Sequence, residues 1–297
     1  WQLDEPLADP ASLNVLYIAK AAKKMGIKVL LSGTGGDDIF TGYRRHTALY
    51  YDKYLNLIPK RIKNILSHLS NHIDKRNTFG RRSSKLLSNI SLSGDEKIVS
   101  YFEWISDIEL RNMFKKEIRE VKNIEYKNIL FEYLSGIHNS CSSIDKILTL
   151  EQRFFLSDHN LLYTDKMSMA AGVEVRVPFL DNDLIKMAAS IPDQFKQKKN
   201  TGKWILKKAM EGYLPNKVIY RRKSGFGVPL RRWMKHELRD MVSDYLSEVS
   251  IKNRGIFDYN SVTKLISDND NGSKDYSYII FSLVCLEIWY RKFYDSN

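Results

Sequence analysis

The sequence predicts a helix-rich α/β fold: the remnant of a parallel sheet near the N-terminus, followed by a large helical region. Three observations lead there. A helix-to-strand unit ends in a glycine-rich turn, a second strand-like run appears far downstream, and helical spacing covers most of what lies between and after.

The helix-to-strand unit opens the chain. Asp9-Pro10 supplies a capping acid followed by proline at the first helical position. Leu13, Leu16, Tyr17, Ile18, Ala21 and Met25 recur at roughly helical spacing until Gly26, so the spacing predicts a helix over 10–25 with those residues as its apolar face. Strand 27–31 follows. Helix then strand is the second half of a βαβ crossover. Its first strand is expected upstream of Trp1, which reads as an internal residue of a longer chain.

Residues 28–38, Lys-Val-Leu-Leu-Ser-Gly-Thr-Gly-Gly-Asp-Asp, carry the densest chemistry. The apolar run stops at Ser32, and three of the next four residues are glycine. Strand, small-residue turn and helix form a geometry in which backbone N–H groups can converge on an anion without side chains in the way. Asp37 and Asp38 add hard oxygen ligands where a phosphate-bound Mg²⁺ would sit. A turn whose acids merely cap the next helix is the plainer alternative.

Beyond Asp38 the periodicity predicts helices near 38–56, 58–71, 97–103, 108–116, 121–136, 143–168, 182–190, 203–212, 230–247, 260–267 and 274–294. Val173-Glu-Val-Arg-Val177, bounded by Gly172 and Pro178, is the second strand. Glu174 and Arg176 lie two apart, so they project from one face and can pair or meet a ligand. The stretch Tyr220-Arg-Arg-Lys-Ser-Gly-Phe-Gly-Val-Pro229 runs three cations into a two-glycine loop, which would bring positive charge onto a phosphate.

Composition sets the outer bounds. Apolar residues at 43% and charged residues at 28% describe a globular protein, and Tyr278 to Leu286 is far too short to span a bilayer. Cys141 and Cys285 stand apart without a C-x-x-C, so neither a disulfide framework nor a thiolate metal site is suggested, and a cytoplasmic location is expected. The net charge of +12 implies attraction to anions. Arg61, Lys63, Lys75, Arg76, Arg81, Arg82 and Lys85 supply much of it, and segment 74–97 reads as a flexible basic loop. Phe79 is the only aromatic there, which argues against a stacking platform for single-stranded nucleic acid.

Taken together these stretches resemble the synthetase domain of glutamine-dependent asparagine synthetases and related carboxylate-amidating enzymes. The resemblance rests on Asp4-Glu-Pro-Leu-Ala-Asp-Pro10, Ser32-Gly-x-Gly-Gly-Asp-Asp-x-Phe-x-Gly-Tyr43 and Lys166-x-Ser-Met-Ala followed by Glu174-x-Arg-x-Pro-Phe-Leu-Asp181. Gly202-Lys203, Arg222-Lys-Ser-Gly-Phe-Gly-Val-Pro-Leu230 and the tail Leu286-Glu-Ile-Trp-Tyr-Arg-Lys-Phe293 complete it. It covers nearly the whole chain except the basic region around 60–100.

The resemblance implies a nucleotide-binding layer of the adenine nucleotide alpha hydrolase type over 1–45, with 46–297 the helical part of the same domain. It implies ATP and Mg²⁺ as cofactors and an acyl-adenylate intermediate that ammonia converts to an amide. Lys223 is then the candidate catalytic cation. Ser32, Gly33, Thr34 and Gly35 would contact the nucleotide, and Asp37 would bind Mg²⁺. The expected partners are a small carboxylate and a glutaminase domain upstream, with a homodimer as a candidate assembly and no membrane. The family's Ser-Gly-Gly-x-Asp-Ser pyrophosphate loop and its N-terminal cysteine are absent from the 297 residues, so this stretch alone is expected to be inactive. Asparagine-forming members usually carry an acid where Thr34 stands. That puts aspartate as acceptor in question and leaves room for another carboxylate, such as a uronic acid of a surface polysaccharide. A non-catalytic scaffold or a nucleic-acid-binding module are the readings from other classes.

Overall fold

The computed structural model describes residues 1–70, 73, 78–121, 126–221 and 225–296. It is a helix-rich α/β structure. Strand β1 (Val29–Leu31) pairs in parallel with β2 (Glu174–Arg176), in register Val29↔Glu174, Leu30↔Val175 and Leu31↔Arg176. Two bonds extend the ladder: Glu174 N–H donates to Lys28 O, and Ser32 N–H donates to Arg176 O at 2.8 Å. The second of these fixes the point at which the turn leaves the sheet.

The first helix spans Ala11–Lys24, with Pro10 rather than Asp9 at its N-cap, and Asp9 Oδ1 accepts from Ala11 N–H at 2.8 Å. Its buried face is not the expected one. Ala19 and Ala22 are the residues turned inward, against Val173, Leu30 and Ala171, whereas Tyr17 is 67% and Met25 76% exposed. Small side chains let this helix lie against the Leu162–Ala170 helix and the strands at short range, and the bulky residues are left on the outer face.

The predicted helix over 38–56 is two helices, Gly36–Ile39 and Arg44–Leu55. Thr41 separates them with φ +62°, a left-handed conformation that no helix continues through. The predicted 143–168 helix runs unbroken through Ser143–Leu150, a π-helical stretch Glu151–Leu161 and Leu162–Ala170. The predicted 230–247 helix divides into Leu230–Lys235 and Arg239–Tyr245.

The segment 74–97, read as a flexible loop, contains the Thr78–Ser88 helix and the start of another, Gly94–Ser100. Serines and arginines dilute its apolar spacing. One of those serines is nonetheless a structural contact: buried Ser84 donates to Ser70 O at 3.0 Å, tying this helix to the Lys60–Leu69 one. Glu248–Arg254 is a further helix that the periodicity missed. Ser247 caps it, accepting from Ser250 N–H, and Gly255 ends it at φ +74°.

The apolar interior is divided. One cluster gathers Leu230, Met234, Val242, Leu246, Val262 and Leu283 at the C-terminal end. A second joins Leu49, Ile98, Leu134, Ile147 and Leu150. A third, Ile39, Phe40 and Ala188 with Phe179, Leu184, Ile205 and Leu206, lies directly beneath the glycine-rich turn. This last cluster ties the turn to the segments 178–191 and 204–206. Among the described residues no helix is long and apolar enough to cross a membrane.

Candidate active site

The turn after β1 is held by its own side chains. Ser32 Oγ lies 2.7 Å from Thr34 Oγ1, and Thr34 N–H donates to Ser32 Oγ at 3.2 Å. Gly35 takes φ +90°, and a Cβ there would lie 2.3 Å from Leu180 Cδ2. Gly36 rests on the Phe179 ring, with a would-be Cβ 3.4 Å away. Gly35 is therefore required by close packing as well as by backbone angle. The Val-Pro-Phe-Leu segment after β2 is what wedges beneath Gly35 and Gly36. Over Gly33, by contrast, a Cβ would meet nothing within 4 Å, so one face of the turn is open.

The two acids separate in role. Asp37 Oδ1 lies 2.8 Å from Lys203 Nζ, with both side chains about a quarter exposed at 29% and 27%. Asp38, considered at the sequence level as a second metal ligand or a helix cap, is instead 1% exposed and accepts from Tyr43 Oη at 3.1 Å. Burial first, then the charges of Glu151 and Asp37, push its carboxyl up to about 7, against the opposing hydrogen bond from Tyr43 and the charge of Arg45. Burial first, then the charges of Asp38, Asp37 and Glu151, push the Tyr43 phenol upward as well.

Glu151 anchors this inner layer. It is fully buried at the start of the π-helical stretch, 2.8 Å from His46 Nε2 and paired with Arg45 Nε. The Arg45 guanidinium also lies over the rings of Tyr43, Phe155 and Phe102, at 4.4, 4.9 and 5.2 Å. Gln152 Nε2 donates to Asp38 O at 3.3 Å. A π-helical stretch often marks a functional segment, and here it brings Glu151 and Gln152 against the turn helix. Sequence reasoning passed over these groups. The only hint was the run Gly-Tyr-Arg-Arg-His directly after the turn.

Lys203 belongs to the Gly202-Lys203 motif and carries no site role in the sequence reading. Its backbone is left-handed, φ +54°, and its N–H donates to Phe40 O at 2.8 Å. Thr41, fully buried, has its Oγ1 2.8 Å from Lys196 O. Left-handed non-glycine residues cost about 1–3 kcal/mol each, and the bonds of Lys203 N–H to Phe40 O and of Thr41 Oγ1 to Lys196 O help to offset that cost here.

The other motifs converge in pairs. Lys166 pairs with Asp4 and donates to Leu3 O at 2.8 Å, and Trp289 Nε1 donates to Asp4 O at 2.9 Å. The N-terminal, central and C-terminal motifs thus meet at Asp4. Asp9 Oδ2 is also 3.1 Å from His159 Nε2. Glu174 and Arg176 pair with each other at 2.8 Å on an exposed face. Lys223, the candidate catalytic cation, lies outside the described residues.

Ser32, Gly33, Thr34, Gly35 and Asp37 therefore share one turn, open over Gly33. Among the described residues no group of three or more His, Cys, Asp or Glu could hold a metal alone. Mg²⁺ bound through nucleotide phosphates needs only one or two carboxylates, and Asp37 fits that demand.

Comparison with known proteins identifies the family. The sequence model described as Asparagine synthase matches residues 1–291. Asparagine synthetase [glutamine-hydrolyzing] 1 of Bacillus subtilis (strain 168) is 31% identical over 290 residues, 98% of this chain and 44% of that protein. A putative asparagine synthetase [glutamine-hydrolyzing] of Mycobacterium bovis is 27% identical over all of this chain and 44% of its own length. Amidase chyE of Penicillium rubens is 22% identical over 90% of this chain and 42% of its own. The chain spans less than half the length of these relatives. A match this extensive shows that the chain belongs to the asparagine synthase family.

Proposed function

We propose that this chain is the synthetase part of an ATP-dependent ligase that converts a carboxylate to an amide, with aspartate to asparagine as the leading reaction. A carboxylate oxygen attacks the α-phosphorus of ATP, the bond to pyrophosphate breaks, and an acyl-adenylate forms. Ammonia then attacks the acyl carbon, AMP leaves with the bonding electrons, and the nitrogen sheds a proton. Glutamine would supply the ammonia through a further domain, as the names of the relatives suggest.

One observation carries the reading: the rigid turn Ser32–Asp37, open over Gly33 and bearing an acid at its rim, in a chain of this family. Ser32, Gly33, Thr34 and Gly35 would line the nucleotide. Asp37 would hold Mg²⁺, which neutralises phosphate charge when bound. Lys223 would stabilise the negative charge that builds at phosphorus. Leu180 and Phe179 pack against Gly35 and Gly36 of the turn.

Thr34 favours a second acceptor. Its hydroxyl is engaged with Ser32 and carries no charge with which to take a proton or steer an amine. Amidation of another carboxylate, such as a uronic acid, is the second reading.

ATP–pyrophosphate exchange on the full-length protein, with aspartate and a panel of uronic acids, tests both. Exchange that requires aspartate, and falls about 10²–10³-fold in Lys223→Ala, supports asparagine-type chemistry. Exchange driven only by another acid replaces the substrate. No exchange with any acid, in folded protein, refutes the ligase reading.

A further inference from the structure

The Lys60–Leu69 helix turns its polar side inward and its apolar side out. Asn64, Ser67 and Ser70 follow one another at three-residue steps, and they are the groups bonded to the chain beside it. Ser67 donates to Ser88 O at 3.3 Å, Ser91 donates to Asn64 Oδ1 at 3.2 Å, and Ser84 donates to Ser70 O. Ile62, Ile65 and Leu69 share the opposite side and stand open to solvent, Ile65 by 60%. No residue of this helix is buried. Leu57, just ahead of it, is 80% exposed, and Leu86 of the Thr78–Ser88 helix is exposed as well. A helix in a globular protein ordinarily buries its apolar face against the core, so a stripe left outward marks an interaction surface.

Charge indicates what covers it. Between residues 53 and 94 the sequence holds nine lysines and arginines and one acid, Asp74, so this seventh of the chain carries +8 of its +12. Lys60 and Arg61 are exposed at the start of the same helix. Apolar residues bordered by cations suit a surface that is oily and negative together. A single helix presents a convex ridge. A fluid lipid layer conforms to a ridge, whereas a protein partner would need a matching groove. Among the described residues no helix can cross a bilayer, but lying at its surface needs no such length.

We propose that the Lys60–Leu69 helix docks this protein on an anionic lipid surface. Ile62, Ile65 and Leu69 enter the boundary between headgroups and acyl chains, and Lys60 and Arg61 meet the lipid phosphates. The sequence reading expects no membrane partner; the inward turn of the polar side, which periodicity alone does not disclose, is what changes that. The proposal stands apart from the ligase reading.

Co-sedimentation of the full-length protein with vesicles tests it. Phosphatidylcholine vesicles containing about 30% phosphatidylglycerol should bind the protein at about 50 mM salt, and phosphatidylcholine alone should not. Raising the salt to about 300 mM should weaken binding about tenfold or more, because screening shortens the reach of the charges. Ile62→Ser and Ile65→Ser should each weaken binding about tenfold, and Lys60→Gln or Arg61→Gln about fivefold. These positions are exposed, so circular dichroism should show every variant folded as wild type.

Wild-type protein that stays in solution with anionic vesicles overturns the proposal. Binding that survives the Ile62→Ser and Ile65→Ser changes overturns it too, since that would be adsorption by charge alone. Equal binding to both kinds of vesicle has the same consequence. An isoleucine variant that changes the protein's size in solution, with vesicle binding intact, would give the stripe to a protein partner and end the lipid assignment.

Discussion

Replacing Asp38 by Asn should stabilise the protein at alkaline pH and do little in acid. Asp38 is almost wholly buried, with Tyr43 Oη 3.1 Å away and the charges of Glu151 and Asp37 close enough to oppose its ionisation. Its carboxyl is raised to about 7. An ordinary aspartate titrates near about 3.9. Between those values the unfolded chain has lost the proton that the folded chain still holds. Folding therefore binds one proton more, and stability falls as pH rises, by about 1.4 kcal/mol per pH unit. The contribution is fully present below about pH 4 and is lost once pH exceeds about 7. Asn keeps the shape and the carbonyl that accepts from Tyr43, and it carries no charge. The gap between Asp38→Asn and wild type should be about 1 kcal/mol at pH 4.5 and about 4 kcal/mol at pH 8. Urea unfolding followed by circular dichroism at both pH values, in EDTA so that no metal interferes, measures it. A gap that stays constant with pH would refute the argument, because it would mean that Asp38 is already ionised in the folded protein.

Three further outcomes are expected. Gly42→Ala would put a Cβ 1.5 Å from Asp37 Oδ1 and so evict that carboxylate from Lys203. Under the proposed function, Mg²⁺-ATP affinity should fall by about tenfold (about 1.4 kcal/mol) with adenosine affinity retained, as calorimetry would read. Ala19→Leu should destabilise by about 1–3 kcal/mol through overpacking, while Tyr17→Ala on the outer face should stay within about 0.5 kcal/mol; denaturant midpoints compare the two. Burial works to raise the Glu109 carboxyl, but hydrogen bonds from Lys274, Ser106 and Tyr276 prevail and lower it to about 2. Its stabilising effect should be complete above about pH 4.5 and vanish as pH falls through about 2. Melting temperatures of Glu109→Gln and wild type should therefore converge in acid and differ at pH 6.

The parallel pair of strands and the run of helices were legible because they depend on local pattern. Branched residues followed by glycine mark β1, and Gly172 and Pro178 bracket β2. The turn was legible for the same reason, since Ser-Gly-x-Gly-Gly-Asp-Asp is contiguous. The first helix misled because its spacing has two apolar faces. Large residues suggested one of them, and the close neighbour selected the alanines. Segment 74–97 misled because serine and arginine disguise a helix whose buried serine bonds across to another.

The sequence by itself determined the family, the helix-rich α/β class and the glycine-rich turn after β1, since each is written in neighbouring residues. The tertiary structure alone decided which acid faces outward. Asp37 and Asp38 are adjacent and chemically alike, and only the packing of Tyr43, Arg45, His46 and Glu151 around one of them separates their roles. It also decided that Lys203, 166 residues beyond Asp37 by their numbers, stands on that acid. A contact between distant residues depends on backbone angles at Thr41 and Lys203 and on the space left by Gly202, and no local pattern encodes those.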